Sequence, residues 1–289
     1  MTVPQWFRQN IEVEPERGQI EVEGCAIETL AWGDAGKRGL LLAHGLGANA
    51  DWWLPFAPFF TDEWRVGALS FSGMGRSGWR DRYNMPICAR EMAACADSLG
   101  LFDGDEKPWL VAHSMGGIAA IYLAASEVGA RFAGIVLVDS GTVPSEDRMK
   151  ISPGPRTPHP GFATKAEGMA RFRLRPPQGG VAGWFMEFLA EKSLYLREDG
   201  RWHWHFDPNG DVNRGTEFVG ALSDLLPLAR CPLTFVWGED SVLMTQRSKE
   251  LNRAVALPGT RFVEIPSAHH LLMLDQPVAF VSALRALLG

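Results

Sequence analysis

The stretch Trp109–Gly117 reads WLVAHSMGG. Its first half is apolar and rich in strand formers, and from Gly117 to Ala125 the apolar residues take helical spacing. Strand and helix meet without a loop, so the chain must turn sharply through Ala112-His113-Ser114-Met115-Gly116. Small residues two before and two after the serine let the backbones pass closely, while the serine itself takes a strained conformation. Such a turn lifts the hydroxyl above the sheet. It also aims the Met115 amide, at a helix N-terminus, toward the place where an oxyanion would form. The pattern is small-x-Ser-x-small, with Ala112 in place of the usual first glycine, and it makes Ser114 the candidate nucleophile. A serine that only caps a helix is the plainer alternative, and the strand–turn–helix context speaks against it.

Around this centre, short apolar runs alternate with amphipathic stretches, the rhythm of a mostly parallel sheet with helices on both faces. Gln19–Thr29, Gly39–Ala43, Trp64–Phe71, Gly134–Val138, Pro232–Trp237 and Arg261–Ile265 read as further strands. Ile87–Leu99, Gln246–Ala256 and Pro277–Leu288 read as helices. The rhythm stops between about Gly141 and Arg214. That segment carries a Pro- and Gly-rich stretch (KISPGPRTPHPG), the basic string RFRLR, an expected helix Trp184–Glu191, and the aromatic cluster RWHWHFDP. Aromatic residues argue against a disordered loop. The expected organisation is a core over residues 1–140 and 215–289, with a largely helical cap inserted over 141–214. A cap over the strand ends lies where open α/β sheets bind ligands, and it lets an enzyme exclude water.

A serine hydroxyl needs a base to become nucleophilic at neutral pH. The string SAHHLLMLDQPVAF, Ser267–Phe280, offers two adjacent histidines after the last strand. Upstream, His44-Gly45-Leu46-Gly47 follows an early apolar strand. Together, HGLG, AHSMGG and HHLLMLDQPVAF resemble the α/β-hydrolase superfamily, and more narrowly its capped esterase-like serine hydrolases. The likeness implies a base five residues before an acidic residue followed by x-Pro. Asp275-Gln276-Pro277 then points to His270, with His269 as the alternative. It also implies that the Leu46 amide joins that of Met115 as an oxyanion donor, a contribution of roughly a hundred- to a thousand-fold in rate. His44 reads as a structural hydrogen-bonding residue. SFSGMGRSGWR, Ser70–Arg80, resembles the family's DxxGxGxS turn with Ser70 in place of aspartate. Its glycine spacing does not fit a phosphate loop.

The third member is less determined. A carboxylate is needed to hold the imidazole in the right tautomer. The resemblance implies an acid three residues after the glycine of VWGEDSVLM, but that position is Ser241. Asp240 lies one residue early. Asp139, at the end of GIVLVD, is the preferred reading, since some members of the superfamily carry the acid there. Trp52 and Trp53 are candidates to line a substrate pocket, with core packing equally open. Arg171, Arg173 and Arg175 would share one face on a strand. Arg173 is the candidate carboxylate binder there, against a solvated, ion-paired face.

With 28 basic and 34 acidic residues the chain is mildly acidic, which gives no reason to expect nucleic acid or an anionic membrane as partner. The four cysteines form no CxxC pair, so zinc and redox motifs lack support, and free thiols in a reducing compartment are expected. The N-terminal residues show no signal-peptide core and no apolar run spans a bilayer, so a cytoplasmic protein is expected. The leading expectation is hydrolysis of a small carboxylic ester, lactone or thioester through an acyl-enzyme, with no cofactor and no metal. C–C bond hydrolases, perhydrolases and hydroxynitrile lyases share the scaffold, as does a ligand receptor without turnover. Dehalogenases and epoxide hydrolases of this fold use aspartate where Ser114 stands.

Overall fold

The computed structural model describes residues 2–143, 159–207 and 222–289. A short helix α1 (Gln5–Ile11) precedes a hairpin of β1 (Glu16–Val22) and β2 (Cys25–Trp32). The alternation over Gln19–Thr29 suggests one strand, but the chain folds back in its middle. Glu23 and Gly24 both have positive φ, 49° and 73°, so Val22 pairs with Cys25 across a two-residue turn. That geometry matches strand twist and strongly favours glycine at its second position.

The next strands are β3 (Arg38–Ala43) and β4 (Trp64–Leu69), followed by helix α2 (Met85–Ser98). The centre is β5 (Trp109–His113), α3 (Met115–Ala125) and β6 (Gly134–Val138). The eight-stranded sheet has the order β1-β2-β4-β3-β5-β6, completed by two late strands, β9 (Leu233–Gly238) and β10 (Arg261–Ile265). Every pairing from β4 to β10 is parallel, and β1 and β2 form an antiparallel edge.

Side chains alternate between the two faces with period two, as a strand requires. Leu41, Leu110 and Ile135 sit on one face with Met92 and Cys95 of α2 and Ala119 and Ala120 of α3. Leu40, Leu42, Val111 and Val136 sit on the other with Phe280 and Leu284 of the closing helix. Both faces are covered, so the central strands read as nearly continuous apolar runs. All four cysteines are buried and unpaired. Among the described residues, no helix is long and apolar enough to cross a membrane.

Between β6 and β9 lie α4 (Lys165–Arg171), α5 (Gly183–Lys192), and a separate two-stranded hairpin of β7 (Leu194–Leu196) and β8 (Trp202–Trp204). The described part thus combines two helices with one short hairpin. Most of KISPGPRTPHPG, and the expected boundary at 214/215, lie outside the described residues. The segment is fastened to the core by polar bonds. The Asp207 amide donates to Gly73 O at 2.7 Å and the Gly75 amide to His205 O at 2.9 Å. Tyr83 Oη donates to Asp207 at 2.8 Å, and Asn49 Nδ2 to Lys192 O at 3.0 Å. His205 and Asp207 thus serve as anchors, while Trp204 packs against Phe162 and Phe172. Helices α6 (Leu222–Leu225), α7 (Gln246–Val255), α8 (Leu272–Asp275) and α9 (Pro277–Leu288) complete the chain.

Glycine replacements separate conformation from space. Gly24 and Gly183 both have open room for a Cβ, but only Gly24 has positive φ. Gly24→Ala is expected to cost about 1–2 kcal/mol in urea unfolding. Gly183→Ala, at the start of α5, is expected to be neutral or to stabilise by up to about 1 kcal/mol. Equal effects from the two would contradict the turn.

Candidate active site

Parallel register brings five strand ends to one rim. Ala43 pairs with Ala112, His113 with Val138, Val138 with Val236, and Gly238 with Ile265. The residues that follow these strands, His44, Ser114, Asp139 and the loop leading to His270, therefore emerge side by side. This is the edge where open parallel sheets place their ligands.

Ser114 has φ 53° and ψ −118°, outside the regions comfortable for a side chain. It is held there from both sides. Its amide donates to Val138 O at 2.9 Å, and its carbonyl accepts from Ser140 Oγ at 2.7 Å. The following glycines are needed for close approach. A Cβ at Gly116 would stand 2.5 Å from His44 O, and one at Gly117 would stand 2.5 Å from Ser140 Cβ.

Ser114 Oγ lies 3.0 Å from His270 Nε2, and His270 Nδ1 lies 2.6 Å from Asp139 Oδ2. His270 and Asp139 are both buried. With Nδ1–H donating to the carboxylate, Nε2 is left free to accept the serine proton. The carboxylate has two further donors, the Gly238 amide on Oδ1 at 3.0 Å and Ser241 Oγ on Oδ2 at 2.5 Å. The serine at the position where an acid was implied therefore binds the acid of the neighbouring strand. Asp240 is exposed, and its amide donates to Ala268 O. It makes no bond to His270.

His269 is engaged elsewhere. Its Nδ1 and its amide both meet Asp275 Oδ2, each at 2.8 Å. The acidic residue whose spacing marks His270 thus binds the adjacent histidine and fixes the loop. Burial raises the Asp275 carboxyl above its ordinary value, against the opposing pull of these bonds.

Two residues absent from the sequence reading secure His270. His113 Nε2 donates to the His270 carbonyl at 3.1 Å, and the two rings lie 4.8 Å apart. Gln178, in the segment between β6 and β9, accepts from the Leu271 amide at 2.8 Å. His113 was visible inside the elbow as a residue of unassigned role. Gln178 lies in a Pro- and Gly-rich string that gives no sign of its partner.

His44 is buried. Its Nδ1 donates to Gly45 O at 2.7 Å, and its Nε2 accepts from the Phe71 amide at 3.1 Å. Those bonds tie the HGLG loop to the Ser70–Arg80 loop. There Glu28 supplies the carboxylate that Ser70 lacks, binding Ser70 Oγ at 2.7 Å and the Arg76 amide at 3.0 Å. Among the described residues, no protein acceptor takes the Leu46 or Met115 amide. Trp52, Trp53, Gly45, His113 and Met273 line a small cavity beside the serine. Arg173 is exposed and donates to the carbonyls of Ala170 and Phe172 at 2.8 and 2.7 Å, so it finishes α4 rather than joining this group. No set of three or more His, Cys, Asp or Glu among the described residues is arranged to hold a metal.

A family model described as the alpha/beta hydrolase family matches residues 40–283. The chain belongs to the alpha/beta hydrolase family. It is 34% identical over 106 residues to a protein of Caulobacter segnis provisionally named carbamate hydrolase RutD, covering 36% of this chain and 38% of that one. It is also 34% identical over 86 residues to a pimeloyl-[acyl-carrier protein] methyl ester esterase of Edwardsiella ictaluri, covering 30% of each. The chain thus spans between 30% and 38% of the length of these two curated relatives. Among solved structures, E-2-(acetamidomethylene)succinate hydrolase superposes with TM-score 0.79 at 16% identity, over 94% of this chain and 98% of its own. That likeness concerns the fold. Helix α3 and the elbow are therefore parts of a hydrolase scaffold.

Burial keeps two histidines of this hydrolase neutral. It pulls His44 down to about 4. It pulls His113 well below the usual histidine value, helped by the charge His270 can carry. Unfolded histidines titrate near ~6.5, so below that pH the unfolded chain binds the extra protons. Stability is then complete above about pH 6.5 and falls toward pH 4, by up to about 1.4 kcal/mol per pH unit for each histidine. Urea unfolding between pH 7.5 and 5 should show this slope, and His44→Gln should reduce it. An unchanged slope in that variant would contradict a neutral, buried His44.

Proposed function

We propose that this hydrolase cleaves a small carboxylic ester, with lactones and thioesters in the same reach, through an acyl-enzyme on Ser114. The reading is carried by the unbroken hydrogen-bond chain from Ser114 Oγ through His270 to Asp139. Ser114 Oγ bonds to the carbonyl carbon as its proton passes to His270 Nε2. The carbonyl oxygen becomes an oxyanion facing the amides of Leu46 and Met115. Asp139 steadies the imidazolium that results. The proton then goes to the leaving oxygen, the C–O bond breaks and the alcohol departs. Water gives a proton to the freed Nε2 and attacks the acyl carbon. Collapse of that adduct returns the proton to Ser114 and releases the acid. In this scheme residues 141–214 act as a cap on a core of 1–140 and 215–289, fastened at Asp207 and Gln178.

Asp139→Asn is expected to lower turnover of a model ester by on the order of ten-thousand-fold, because the imidazole then settles in the wrong tautomer. Asp240→Asn and His269→Ala are expected to stay within about tenfold of wild type, which is within 1.4 kcal/mol of barrier. Loss of activity in Asp240→Asn with retention in Asp139→Asn would overturn the assignment.

A carbamate is the second reading, favoured by the Caulobacter relative's name. Its carbonyl takes the same attack. The products decide: an ester leaves a stable carboxylic acid, whereas a carbamate releases carbon dioxide.

A further inference from the structure

The loop that carries His270 runs from the end of β10 at Ile265 to the start of α8 at Leu272, with no regular structure between them. Among the described residues, no backbone group pairs with the His270 carbonyl or the Leu271 amide. Both residues are buried, so neither group can rely on water. Each is met by a side chain instead. His113 Nε2, at the end of β5, donates to the His270 carbonyl at 3.1 Å. Gln178 Oε1, in the inserted segment, accepts from the Leu271 amide at 2.8 Å. These two groups belong to one peptide unit. Such a unit is planar, and its C=O and N–H lie on opposite sides of the line joining the two Cα atoms. Gripping both therefore stops the plane from turning about that line. Gln178 is further held by its Nε2, which donates to the Leu271 carbonyl at 3.3 Å and to Asp275 Oδ2 at 3.4 Å. Nearby, Gly180 has φ 80°, and a Cβ there would stand 3.3 Å from Asp275 Cβ, so the segment lies directly against this loop.

We infer that Gln178 and His113 are positioning residues that together aim His270, so that the base is fully placed only when the inserted segment is seated on the core. This rests on His270 as the base of Ser114 and deepens that reading. The imidazole has to meet two partners at once, Asp139 Oδ2 at 2.6 Å from Nδ1 and Ser114 Oγ at 3.0 Å from Nε2. The bond to Asp139 fixes one ring nitrogen and leaves the ring free to swing about it. The backbone at His270 supplies the other pivot, and the gripped peptide sets that pivot. A displacement of about 1 Å at a reacting group costs on the order of a hundredfold in rate. Asp139, Ser114 and His113 all come from core strands or their ends, whereas Gln178 comes from the inserted segment. Fastening alone does not require this contact. The bonds of Tyr83 to Asp207 and of Asn49 to Lys192 already tie the segment down without touching the His270 loop.

The test is a double-mutant cycle on the rate at which a fluorophosphonate labels Ser114, measured in wild type, Gln178→Met, His270→Ala and the double variant. Gln178→Met keeps the length of the side chain and removes both polar atoms. With His270 present it should slow labelling by roughly ten- to a hundredfold. With His270 already removed it should change the rate by less than about twofold, because the group it positions is gone. Effects on probe access or on the seating of the segment act in both backgrounds and cancel. His113→Phe keeps a ring and loses the donor. It should show the same pattern, and it carries the test if Gln178→Met does not fold. Equal slowing in both backgrounds, or no slowing in folded Gln178→Met with His270 present, would overturn the peptide grip and leave His270 as the base. Labelling of His270→Ala at the wild-type rate would overturn the base and the grip together.

Discussion

The structure turns on one costly backbone conformation. Ser114 at φ 53° and ψ −118° is the kind of strain that costs of order 1–3 kcal/mol and persists only when its surroundings leave no other choice. Here β5 and β6 hold the serine amide, Ser140 holds its carbonyl, and the two glycines after it let α3 press against the HGLG loop and the end of β6. The hydrophobic burial of two full sheet faces is what sustains this geometry. The result is a hydroxyl raised over the rim where four other parallel strands also end.

The carboxylate shows how a scaffold absorbs a changed position. With serine at 241, the carboxylate that meets His270 is Asp139 at the end of β6, and Ser241 donates to it. The same arrangement occurs in the Ser70–Arg80 loop, where Ser70 donates to the carboxylate of Glu28 in β2. In both places a serine beyond one strand donates to a carboxylate carried by the adjacent strand. Buried carboxylates need such donors, because their desolvation is otherwise uncompensated.

Much of this was legible in the chain. The elbow is a local feature, a strand running straight into a helix through small residues, so Trp109–Gly117 announces it. The central strands are covered on both faces and read as plain apolar runs. The choice between Asp139 and Asp240 was not legible, because it depends on which strand end reaches His270 sideways. The choice between adjacent His269 and His270 depends on which ring Asp275 captures. Gln178 reaches Leu271 across 93 positions and has no local signature. The Glu23-Gly24 turn was hidden because the alternation on either side of it continues unbroken.

The most direct test of the account is a fluorophosphonate probe applied to the purified protein, with the labelled residue identified by mass spectrometry. Wild type is expected to carry one label, on Ser114. Ser114→Ala is expected to carry none, and His270→Ala to label on the order of a thousand-fold more slowly, as loss of a general base predicts. A folded wild-type protein that stays unlabelled, or one labelled at another residue, would contradict an activated serine at the elbow.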